Sequence, residues 1–182
     1  MNVEHRRAIE WPTVVLIAIV YLVTGSLVYF HESVPWWIIT PLGAYCVALY
    51  ASLQHEILHG HPTGNRLLNE AMMFPTLHFW LPYGRYKKTH LAHHNDQNLT
   101  DPRLDPESYY MLPEHWAALP GIKQSLYRFN HTLFGRMLIG PGVSVIQFWS
   151  SEFRKILNGD RDVAKDWAWF ALSAAISIWF IA

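Results

Sequence analysis

The sequence predicts an all-α fold: a multi-pass membrane helical protein with a histidine-lined helical cap on its cytoplasmic side. Three observations carry that expectation. Two uncharged runs, 12–30 and 36–53, are each long enough to cross a hydrocarbon core of roughly 30 Å at about 1.5 Å per residue. Of 182 residues, 51% are hydrophobic and only 15% charged, against about 25% charged in an average soluble domain. The 11 histidines concentrate in two stretches close behind the second run.

Composition also excludes several classes. The 14 Lys and Arg balance 14 Asp and Glu, so the chain is not a generally basic nucleic-acid binder. An aromatic content of 15% is incompatible with a disordered chain, which lacks the apolar groups that drive collapse. Cys46 is the single cysteine. This chain alone therefore forms no internal disulfide, no Cys-rich zinc site and no fully ligated Fe–S cluster.

Taken in order, the first run follows Arg6, Arg7 and Trp11 and reads as a retained span rather than a cleaved signal, because it leads directly into a second span. The turn His31-Glu32-Ser33-Val34-Pro35 carries no Lys or Arg, and Trp36 and Trp37 open the second run as interfacial anchors. All remaining positive charges fall between Arg66 and Lys165. The positive-inside bias places the N-terminus and residues 54–166 in the cytoplasm. The stretches 67–81 and 133–149 are apolar but interrupted by Glu70, Pro75, His78, Arg136 and Pro141, and are expected to be interfacial or re-entrant helices lying along the cytoplasmic face. Residues 100–107 read as a polar turn region. A third span is expected over 167–182; the chain stops inside it, which reads as a truncation of a single domain that would otherwise continue.

The chemistry sits in the histidines. His55 and His59 follow the second span at i and i+4, and His90, His93 and His94 stand at i, i+3 and i+4, so each set shares one helical face. Five imidazoles packed without a metal would bury donors and acceptors with few partners, or gather positive charge on protonation. Neutral nitrogens on a metal ion relieve both. His55-Glu56-x-x-His59 also satisfies the zinc-peptidase pattern with Glu56 as general base. A zinc site, however, needs three protein ligands and an open position, which leaves the second set unemployed. Thiolate-free imidazole ligation at two ions of higher coordination is compatible with iron. His5, His31, His115 and His131 read as solvated or capping residues, and His78 as a packing residue.

HEILHGH at 55–61 and HLAHHND at 90–96 resemble the membrane fatty acid desaturase family, whose pattern is HxxxH, HxxHH and a later HxxHH with the first two boxes following a transmembrane hairpin. The continuation Thr100-Asp101-Pro102 and Asp105-Pro106-Glu107-Ser108-Tyr109-Tyr110 is similar to bacterial members. The resemblance covers most of residues 12–182. It implies a non-haem centre of two iron ions with His55, His59, His90, His93 and His94 as ligands. His61 departs from the pattern and is left out, because its i+2 offset from His59 takes it off the shared face. Glu56, Asp96 and Asp101 are candidates for orienting the imidazoles. Trp80, Tyr83 and Tyr86 are candidates for the substrate entrance.

The resemblance further implies O2-dependent desaturation of a fatty acyl chain, fed by an external electron donor of ferredoxin, rubredoxin or cytochrome b5 type. The setting is a bacterial inner membrane, with the active site on the cytoplasmic side and no nucleic-acid partner. The third box is missing, so residues 1–182 alone are expected to be inactive. The alternatives are a hydroxylase or ketolase of the same superfamily acting on carotenoid, alkane or sphingolipid, and, further off, an intramembrane zinc protease.

Overall fold

The computed structural model describes residues 8–95 and 97–181. Arg6 and Arg7, which helped orient the first span, lie outside the described residues, as do His5, Asp96 and Ala182. Among the described residues all regular structure is helical: α1 (Trp11–Tyr29), α2 (Trp36–Leu58), α3 (Arg66–Met72), α4 (Tyr83–Asn95), α5 (Pro113–Ala117), α6 (Gly121–Asn130), α7 (Leu133–Leu138), α8 (Gly140–Leu157) and α9 (Arg161–Ile181). They fall into two compact units, one running to Tyr83 and resuming at Ala168, the other Gly84–Trp167.

In the first unit the two apolar runs fold as α1 and α2, the two helices long and apolar enough to cross a membrane. Pro12 sits in the first turn of α1, where its missing N–H removes no helical bond. The helices meet along one stripe: Ile17 and Val20 of α1 against Cys46, Tyr50, Leu53 and Ile57 of α2, with Met73 joining them. The outer faces stay bare, with Val15, Ile19, Leu22, Trp36, Leu42 and Tyr45 all exposed. So continuous an apolar surface belongs in lipid rather than water. Beyond the apolar run α2 continues without a break to Leu58, and that extension carries the first histidines.

The expected helical stretch 67–81 is helical only as α3. Asn65 caps α3 by accepting the Leu68 N–H, and buried Asn69 locks the preceding turn through Thr63: its Oδ1 accepts the Thr63 hydroxyl at 2.6 Å and its Nδ2 donates to the Thr63 carbonyl at 3.0 Å. Residues 73–82 are irregular, because Pro75 and Pro82 each remove an amide donor. Their polar groups find partners elsewhere in the unit. The Tyr21 hydroxyl donates to the Pro75 carbonyl at 2.7 Å. Ser173 of α9 accepts from the Thr76 amide at 3.1 Å and donates to the Phe74 carbonyl. The apolar run from Trp167 is thus helical as expected and fastened at Ser173, though α9 is too short in its apolar part to count with α1 and α2 as a candidate span.

The second unit is tied by charge. Glu152 of α8, 2% exposed in its side chain, accepts from Arg85 Nε at 2.5 Å and Nη2 at 3.1 Å, and from Lys155 Nζ at 2.7 Å. Lys88 donates to Asp166 at 2.8 Å. A Cβ at Gly84 would stand 2.5 Å from an Asp166 carboxylate oxygen, so a larger residue there would have to displace the Asp166 side chain. Phe148, Trp149 and Phe153 of α8 pack on the Trp167 ring, Phe153 at 5.0 Å. The stretch 133–149 breaks into α7 and the start of α8 at Ile139-Gly140, ahead of Pro141, and α8 runs on to Leu157.

Candidate metal centre

The first half-site sits at the end of α2. His55 and His59 stand one turn apart with ring centroids 4.7 Å apart, and each offers a nitrogen within 4.8 Å of the other's. The helix stops at His59 because Gly60 adopts φ 91°, a left-handed conformation that glycine takes at little cost. Gly60 N–H then bonds to the Ile57 carbonyl and His61 N–H to the Glu56 carbonyl, the paired closure of a Schellman motif. This turn carries His61 off the His55–His59 face. Its Nδ1 lies 2.6 Å from the Glu10 carboxylate. Glu56 is half exposed, 3.5 Å from His55 Nδ1, which makes a weak ion-pair contact and not a hydrogen bond.

Behind this half-site lies a buried polar chain that the sequence did not suggest. Gln54, one residue before His55, donates to the Tyr50 hydroxyl at 2.8 Å and faces His78 Nε2 through Oε1, also at 2.8 Å. The Tyr50 hydroxyl in turn donates to the Met73 carbonyl at 2.8 Å. Because the amide oxygen only accepts, His78 Nε2 carries the hydrogen. Burial lowers the His78 pKa and keeps the ring neutral. His78 is therefore a packing residue with a defined polar partner, edge-on to Tyr50 at 5.3 Å.

The second half-site is one face of α4. His90 and His94 rings lie 4.5 Å apart, with their Nε2 atoms 3.0 Å from each other. Two aromatic nitrogens at that separation either share one proton or turn both lone pairs to a common cation. His93 holds to the same face less closely, 6.3 Å from His90 and 5.8 Å from His94. Its Nδ1 is 2.9 Å from Asp105 Oδ1, and His90 Nδ1 is 3.1 Å from Glu107. The Asp105 hydrogen bond raises the His93 pKa. For Asp105 itself burial pushes the pKa up, but the Thr100 and Glu107 amides and the His93 ring outweigh it and hold the carboxyl below its usual range.

The expected orienting groups fare differently. Asp96 lies outside the described residues. Asp101 spends its carboxylate on its own turn, accepting the Arg103 amide at 2.7 Å. The three entrance candidates divide as well. Trp80 stacks obliquely on His78 at 6.2 Å, Tyr83 packs against the apolar core of the first unit, and Tyr86 stands 5.4 Å from His90. Burial, assisted by Glu107, raises the Tyr86 pKa, so its hydroxyl stays protonated at neutral pH.

The donor set is all imidazole, backed by carboxylates and free of thiolate, which fits iron better than a softer metal. Such a set of ring nitrogens defines a candidate metal-binding protein built on helices. The chain belongs to the fatty acid desaturase family: the family model for fatty acid desaturase matches residues 31–182, a range that includes both histidine boxes. No curated protein and no solved structure matches it.

Proposed function

We propose that the protein catalyses O2-dependent desaturation of a fatty acyl chain at a diiron centre held by His55, His59, His90, His93 and His94. The family match across both boxes carries this reading, and the convergence of ring nitrogens within each box supports it. Iron bound there supplies the O2-activating power needed to remove hydrogen from an unactivated methylene pair. The balance requires an outside reductant: one O2, two electrons and two protons convert CH2–CH2 to CH=CH and two waters. A ferredoxin-, rubredoxin- or cytochrome b5-like protein would deliver those electrons at the cytoplasmic face of a bacterial inner membrane.

This chain's own contribution is positional. α2 brings His55 and His59 to the end of an apolar helix, where an acyl chain dissolved among lipid tails meets the polar boundary. The His78–Gln54–Tyr50 chain ties the buried side chains beneath the first box to one another and to the Met73 carbonyl, which braces that end of α2. Tyr86 offers a protonated, partly apolar ring beside His90.

The same ligands serve hydroxylases and ketolases, so the test reads the product. Gas chromatography of membrane fatty acids from a host expressing the protein should show a new monounsaturated species, absent after His90→Ala. New hydroxy or keto lipids in its place would move the assignment to the sister activities. One zinc and no iron in the purified protein would overturn it.

A further inference from the structure

We propose that Asp105 and Glu107, on the loop that follows α4, are positioning residues that hold His93 and His90 by Nδ1, so that Nε2 is the nitrogen each ring presents to iron. The inference rests on the metal reading above and adds which carboxylates and which nitrogens are used.

The loop runs back along α4, so that 105 meets 93 and 107 meets 90. Asp105 is 1% exposed in its side chain, a depth at which a carboxylate persists only when its oxygens are engaged. Oδ2 accepts the Thr100 amide at 2.8 Å, while Oδ1 accepts the Glu107 amide and the His93 ring, both at 2.9 Å. A carboxylate is an acceptor only, so His93 Nδ1 must donate, and the lone pair of the neutral ring then falls on Nε2. The same reasoning applies to His90, whose Nδ1 lies 3.1 and 3.2 Å from the two oxygens of Glu107. Its Nε2 is then the atom 3.0 Å from His94 Nε2.

The loop is braced without help from the rings. Thr100 takes φ 73°, the Ser108 hydroxyl donates to the Thr100 carbonyl at 2.7 Å, and Pro106 fixes the backbone between the two carboxylates. A rigid support of this kind sets ring orientation before metal arrives, and loss of such outer partners typically weakens metal binding about 10–100-fold.

The test uses the purified chain in detergent, with Fe(II) affinity read by chelator competition. Nitrogen-15 shifts of labelled histidine report the ring tautomers of the metal-free protein. Asp105→Asn and Glu107→Gln should each lower affinity about 10–100-fold and disturb the Nδ1–H tautomer of the ring they contact. Glu114→Gln, which loses only an exposed contact with Arg103 and touches no imidazole, should leave both readouts at wild-type values. Wild-type affinity in the two carboxylate variants, or Nε2–H tautomers at His90 and His93 in the parent, would overturn the inference. Should Asp105→Asn fail to fold, Glu107→Gln decides alone, since that side chain is 29% exposed. If His90→Ala and His94→Ala also leave iron uptake intact, the metal reading itself has failed. If they abolish it while the carboxylate variants do not, only this inference falls.

Discussion

Glu152→Gln tests whether the helix that carries the second histidine box is held by charge. The side chain is 2% exposed and takes three hydrogen bonds, two from Arg85 of α4 and one from Lys155. Removing one partner of a buried ion pair costs about 3–5 kcal/mol, because the other charge is left stranded. Arg85 retains Asp166 at 3.9 Å, and the glutamine carbonyl still accepts one bond, so about 2–3 kcal/mol is expected. For a chain of this size that corresponds to a fall in Tm of about 4–12 °C. Tryptophan fluorescence during heating in detergent reads it, because Trp149 and Trp167 pack in the same unit. The pH dependence follows from the carboxyl. Burial pushes the Glu152 pKa up, yet the hydrogen bonds and charges of Arg85 and Lys155 outweigh it and hold it below the ordinary range. A depressed carboxylate stabilises the fold fully above its unfolded pKa, about 4.3, and loses that contribution as pH falls through the folded value. The gap between parent and variant should therefore be full at neutral pH and close in acid below about pH 4. A variant that melts within about 1 °C of the parent at neutral pH, well under the range above, would refute the reasoning.

Other positions give sharp outcomes. Tyr50→Phe removes the hydroxyl that donates to the Met73 carbonyl and receives Gln54, leaving two buried groups short of a partner; thermal melting should show a loss of about 2 kcal/mol. Gly135→Ala places a Cβ against the Phe129 carbonyl, backbone that cannot turn aside, and should cost about 3 kcal/mol, whereas Gly142→Ala, with nothing within 4 Å, should melt like the parent. His61→Ala breaks a half-exposed contact with Glu10 and should cost under about 1 kcal/mol with iron content by metal analysis unchanged, while His90→Ala and His94→Ala should lose iron.

The two long apolar helices α1 and α2 were legible because length and hydropathy alone define them, and the boxes because i, i+3 and i+4 spacing survives any tertiary detail. α2 reaching His55 and His59 without a break follows from the same periodicity. The supporting groups were hidden for physical reasons. Asp101 and Asp105 look alike in sequence, yet Asp101 closes its own turn while Asp105 reaches His93, a choice made by loop geometry that no repeat encodes. The Gln54–His78 bond joins positions 24 apart, across a proline-rich stretch whose apolar composition suggested a helix. Glu152 lies 67 positions from Arg85, a pairing that no local spacing encodes.

α2 also acts as a ruler. One unbroken helix joins Trp36, at the far end of the apolar run, to His55, fixing their separation at about 28 Å along the axis. Inserting a single residue between them would advance the box by about 1.5 Å and swing it by about 100°, changing the direction in which His55 and His59 face relative to the apolar run. Four inserted residues would nearly restore the face and lift the box by about 6 Å. Length changes in this helix are therefore tolerated only in whole turns, and each whole turn moves the histidine-bearing end of α2 by about 5.4 Å along the helix axis.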